Sequence, residues 1–227
     1  MGRTIRQIAL LLLLAGSLAA QADERLYDVE VIIFTQQHGD LVAERWPMAR
    51  EPAVFPRYAD LADGGTPSAQ RFVRGDGRLQ LGQAVRQLES SGRYDVLLHT
   101  GWRQPGLDRD RAAALTIPLG SPAPAPSLLP ATGDRPLEAI APEVRPPEGL
   151  SGYLRVFVER FIHLEANLRL VDPALGVQRR HDHLPLFGED QAPVIVMEQR
   201  RRMRSGELHY LDHPHIGILV RVNRADE

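Results

Sequence analysis

The sequence predicts an α+β fold, mainly antiparallel β-sheet, with one amphipathic helix at about residues 78–91, long irregular loops and a C-terminal β-hairpin. Two observations carry that prediction. Apolar residues take every second position through most of Tyr153 to Val171, and again at Ile216, Ile218, Val220 and Val222, the period of a half-buried strand. Helical spacing is met instead where Leu81, Ala84, Val85 and Leu88 share one face.

Taken in order, Met1 to Ala22 has the layout of a secretory leader: Arg3 and Arg6, an apolar run from Ile8 to Ala20, and the small-x-small site Ala20, Gln21, Ala22. The run is about 13 residues, short of the ~20 that cross a bilayer, so the expected product is a cleaved, exported chain with no transmembrane segment. Arg25 to Phe34 reads as a strand whose second half is apolar on both faces, as where a strand enters a sheet centre. Thr35 to Gln70 reads as a long irregular connection around Trp46 and Pro47. Asp76 is placed to cap the helix, and Gly92 to end it in the left-handed conformation. Tyr94 to Trp102 is the next strand, and strand, helix, strand in this order predicts a βαβ crossover. A short strand follows at Ala113 to Leu119. Gly120 to Gly149 is dense in proline and reads as an extended, mobile insertion in a single domain spanning 23–227.

Tyr153 to Val171 predicts one long strand or a bent pair, since Arg160 interrupts the apolar parity. Another strand runs from Pro193 through Met203, Ser205 to Glu207 form a turn, and Ile216 to Val222 closes the sheet.

Composition excludes several functions. The chain has no cysteine, so disulfide scaffolds and thiolate chemistry are absent. It has no lysine either, which removes Schiff-base chemistry. With 27 basic and 29 acidic residues, a net of −2 that falls to −4 once Arg3 and Arg6 are removed with the leader, nucleic acid is a poor partner. Neither a Gly-x-Ser-x-Gly elbow nor a phosphate loop is present.

Three chemistries compete for the remaining polar residues. His181, His183, His209, His213 and His215 invite a metal, but they lack helical ligand spacing, and solvated or hydrogen-bonded histidines are the favoured reading. Glu30, Asp95, Glu159 and Glu165 are the carboxylates to weigh for a cell-wall hydrolase, the principal alternative function. Glu159 and Glu165 share parity with Arg155 and Arg169, so cross-strand ion pairing explains them more simply. The arginine run is different in kind. On a strand Arg200, Arg202 and Arg204 project to one side and Arg201 and Met203 to the other, which requires either carboxylate partners or an anionic ligand. Trp46, Trp102 and Tyr210 are the flat rings on which sugars could stack, against a competing role in the core.

Tyr27 to Phe34 after the leader, Glu44 to Pro47, Tyr94 to His99 running into Gly101 to Pro105, His163 to Leu168, and Arg201 to Pro214 succeed one another in an order that resembles the CsiV family of proteobacterial periplasmic proteins. The resemblance implies a non-enzymatic protein without cofactor. It would bind peptidoglycan and promote wall synthesis with an outer-membrane lipoprotein activator of a penicillin-binding protein. It assigns no binding residue. The proline-dense insertion has no counterpart in it.

Overall fold

A computed structural model describes residues 25–36, 55, 57–118, 149–171 and 194–225. The leader, Trp46, His181, His183 and nearly all of the proline-dense stretch lie outside the described residues. The described strands are β1 (Leu26–Gln36), β2 (Asp60–Ala62), β3 (Arg71–Arg74), β4 (Tyr94–Pro105), β5 (Leu115–Ile117), β6 (Gly149–Val158), β7 (Ile162–Val171), β8 (Val194–Met203), β9 (Leu208–Asp212) and β10 (Ile216–Arg224). One 3-10 turn, Asp76–Arg78, precedes the single helix α1 (Gly82–Ser90). The α+β, mainly antiparallel architecture is therefore the one the alternating patterns predict.

The strands form two sheets, of order β2-β3-β4-β1-β10-β9 and β5-β6-β7-β8. Alternation decides what lies between them. Val29, Val31 and Ile33 of β1 and Val220 and Val222 of β10 join Leu154 and Val156 of β6, Leu164 and Leu168 of β7, and Met197 and Met203 of β8 in one buried cluster. Each such side chain contributes roughly 1.5–3 kcal/mol when fully withdrawn from water. The opposite parity of β1 carries Asp28 and Glu30 in its first half and is apolar at its far end. There Ile32 and Phe34 meet Leu81, just before α1, and Ala84, Val85 and Leu88 within it, which explains why the second half of that strand is hydrophobic on both faces.

Four local expectations change. β1 and β4 pair directly and antiparallel, Val29 opposite Trp102, so the segment carrying the helix is not a parallel crossover. The helix is shorter than about 78–91, and Asp76 does not cap it, because the chain makes its 3-10 turn there. Instead the carboxylate of Glu30, on β1, accepts the amides of Gln80 and Leu81 at 2.8 Å each. Of the two readings offered for Tyr153 to Val171 the bent pair holds: β6 and β7 form an antiparallel hairpin that reverses around Arg160. β10 does not close its sheet but lies between β1 and β9, and the C-terminal hairpin is β9 with β10. Gly92 does end the helix with positive φ, +65°.

Candidate functional site

The register of the second sheet sets up its polar face. Arg155 of β6 lies opposite Glu165 of β7, which in turn lies opposite Arg200 of β8. Glu165 accepts Arg155 Nε at 2.9 Å and also Arg155 Nη2, while Arg109 and Arg200 approach its other oxygen at 3.5 and 3.8 Å. Three guanidiniums thus share one carboxylate. Aromatic rings carry part of the remaining charge: Arg155 lies 4.2 Å from the Phe55 centroid and Arg200 5.0 Å from that of Phe157. His163, on the next rung of the same face, stacks on Phe157 at 4.8 Å, and its pKa is lowered by burial and by the neighbouring Arg200. Arg200 is therefore engaged within the fold rather than presented singly.

The next rungs of β8 lead to a cleft. Arg202 lies over the ring of Phe161 at 4.6 Å, and β8 ends at the buried Met203. The chain then leaves the second sheet for the first. Arg204 to Glu207 make the crossing, and Gly206 takes φ +80°, a conformation that other residues adopt at a cost. Phe161, Arg202, Met203, Arg204, Glu207 and His209 line a cleft of about 180 Å³ at this corner. Glu207 lies 3.6 Å from both Arg204 Nη1 and His209 Nε2. The Arg204 amide also donates to His209 Nε2 at 3.4 Å, and burial lowers the His209 pKa, so the imidazole is neutral at pH 7. Arg202, Arg204 and Glu207 then leave a net charge of +1 on the lining. Among the described residues no carboxylate pairs with Arg202. A forked guanidinium beside an aromatic ring is suited to a small carboxylate, since bidentate contacts to such groups are strong.

The remaining candidates are dispersed. Tyr210 follows His209 on β9 but projects to the opposite face, where its ring lies 6.2 Å from Phe34. Trp102 is 1% exposed, stacks with Phe72 at 6.5 Å and donates to Gln104 Oε1 at 2.7 Å, so its ring closes the core and offers no surface to a sugar. Glu30 is committed to the helix amides and to His99 Nε2 at 2.8 Å. Glu159 lies 3.9 Å from His163, Glu165 is enclosed by arginines, and exposed Asp95 accepts Thr35 Oγ1 through its main-chain oxygen. His213 and His215 have rings 6.3 Å apart, and among the described residues no group of three or more metal-binding side chains is assembled.

Sequence reading missed Phe161 and Gln36 as neighbours of these candidates, and it weighed Asp212 as a partner for the arginines rather than for Tyr210. Phe161 follows Arg160, the residue that interrupts the alternation, and so falls at a turn rather than in a recognisable site. Gln36 lies in a different strand from Tyr210, and nothing in the sequence links them.

Among the described residues no helix is long and apolar enough to cross a membrane. Neither a curated protein nor a solved structure matches the chain. One family model does, described as peptidoglycan-binding protein, CsiV, and it matches residues 7–225. Since that match takes in the whole polar face of β8, the cleft at Arg202 and Arg204, and both sheets that position them, the chain belongs to the CsiV peptidoglycan-binding family.

Proposed function

We propose that this chain is an exported, non-enzymatic accessory protein that binds peptidoglycan and supports wall synthesis, by modulating a penicillin-binding protein or its lipoprotein activator. The family supports the polymer, and one observation carries the site: the cleft of about 180 Å³ in which Arg202 and Arg204 stand beside Phe161 and Met203. Stem peptides of the wall carry carboxylates, and a guanidinium fork recognises a carboxylate by two parallel hydrogen bonds. Each such charged contact is worth roughly 1.5–3 kcal/mol. Arg200 supports the cleft from the neighbouring rung while engaged with Glu165. In this reading the leader is cleaved near Ala22 and residues 23–227 form one domain in the periplasm.

Sedimentation with purified sacculi at low salt tests the proposal. The protein is expected in the pellet, and the double variant Arg202→Ala, Arg204→Ala in the supernatant, with retention falling as salt screens the contact. Wild-type protein left in the supernatant overturns it. Soluble muropeptides released during the incubation would favour the hydrolase reading instead.

A further inference from the structure

The other face of β9 carries a second constellation. Successive residues of a strand point to opposite sides, so His209 lines the arginine cleft while Tyr210 stands on the helix-bearing face of the first sheet. Tyr210 is 42% exposed and, among the described residues, is the large aromatic side chain left most open to solvent. Its position is built rather than incidental. Phe34 lies against Gly217, where any Cβ would overlap the Phe34 ring, and this close approach requires glycine. Tyr94 meets Phe34 edge-on at 5.3 Å, and Tyr210 lies nearly parallel to it, 8° between ring planes, giving a row of three rings.

Polar groups surround the outermost ring. The Tyr210 hydroxyl donates to Asp212 Oδ1 at 2.6 Å. Gln36 Nε2 lies 3.0 Å from that hydroxyl oxygen, 3.1 Å from Asp212 Oδ1 and 3.0 Å from the His213 carbonyl. Burial and the Asp212 contact raise the Tyr210 pKa, so the hydroxyl stays protonated and the ring neutral. Among the described residues, neither Asp212 Oδ2 nor Gln36 Oε1 accepts a side-chain or main-chain hydrogen bond, leaving one acceptor on each.

We infer that Tyr210, Gln36 and Asp212 form a saccharide subsite, in which a pyranose lies on the Tyr210 ring and its hydroxyl or acetamido hydrogens are taken by the carboxylate and amide oxygens. A sugar ring is the occupant that matches both halves of the site: an apolar C–H face for the aromatic surface and hydrogen-bond donors at its rim for the planar acceptors. A phosphate would meet the Asp212 charge unopposed. The inference rests on the peptidoglycan reading and divides the polymer between two subsites, peptide carboxylates at the cleft and glycan at the ring. β9 is the outer strand of its sheet, so both faces are reached around one edge.

The test is titration of the purified protein with a peptide-free oligomer of β-1,4-linked N-acetylglucosamine, followed by NMR, alongside sacculus sedimentation. The wild-type protein is expected to bind the oligomer, and Tyr210→Ala and Asp212→Asn to weaken binding about tenfold each, the scale of a truncated interface aromatic. Tyr210→Phe keeps the ring and is expected to lose less than Tyr210→Ala. If Tyr210→Ala does not fold, Asp212→Asn decides. Sacculus binding without oligomer binding, or wild-type affinity in folded Tyr210→Ala or Asp212→Asn, overturns the subsite and leaves the proposed function standing. Failure to bind either ligand overturns both.

Discussion

Replacing Glu30 by alanine gives the sharpest test of how the two sides of the first sheet are joined. The carboxylate is 6% exposed and accepts the Gln80 amide, the Leu81 amide and His99 Nε2, each at 2.8 Å. The two amides lie immediately before α1, which has no side-chain cap of its own, and a negative charge at a helix N-terminus is favourable. Hydrogen bonds to a charged group contribute roughly 1.5–3 kcal/mol each, and a buried amide left without an acceptor costs ~1–3 kcal/mol. The Gln80 amide is only partly buried and regains water in the variant, whereas the Leu81 amide is buried and does not. The expected loss is therefore about 2–4 kcal/mol. With an unfolding slope of ~2 kcal/mol per molar urea, the midpoint falls by about 1–2 M. Glu30→Gln retains one acceptor and presents an NH2 to the other donor, so about half that loss is expected. A midpoint within about 0.2 M of wild type for Glu30→Ala would refute the argument and return Glu30 to the list of carboxylates available for chemistry.

Two further outcomes follow from the same geometry. Glu165→Gln removes the charge shared by Arg155, Arg109 and Arg200, and since Arg155 is buried, an uncompensated buried guanidinium is expected to cost about 3 kcal/mol by urea unfolding; a loss under ~1 kcal/mol would show that Arg155 finds water or another partner. His163 and His209 have pKa values lowered by burial, so between the lowered folded value and the ordinary value of about 6.5 the unfolded chain binds more protons. Stability is then fully present above about 6.5 and declines as pH falls through that window. The urea midpoint is expected to drop between pH 7 and pH 5, and to drop less in His163→Gln and His209→Gln; an unchanged pH dependence in both variants would refute it.

Legibility differed by element for physical reasons. β6, β7 and β10 were readable because each packs one face on a shared core, so the sequence alternates and Arg160 marks the reversal. β2 and β3 were not, since three or four residues are too few to show a period. The expected crossover failed because alternation reveals which face is buried but not which strand is the neighbour, and β1 pairs with β4 through contacts the helix does not dictate. The helix cap failed for a related reason: Asp76 is local, but the carboxylate that accepts the first amides is 50 residues distant in the chain. Within the site, Arg200 and Arg202 do share a face, as alternation requires, while Arg204 lies past the end of β8 and belongs to the crossing.

By itself the sequence determined the strand faces, the amphipathic helix, the absence of thiol and lysine chemistry, and the density of arginine around residues 200–204, because these depend only on composition and on spacing along one chain. Tertiary structure decided everything that depends on which distant residues meet. It enclosed Glu165 among three arginines, buried Trp102, and placed Arg202 and Tyr210 on opposite sides of one edge strand beside partners, Phe161 in one case and Gln36 in the other. The chain had to pass from one sheet to the other at Gly206 before a run of neighbouring residues could become two separate surfaces.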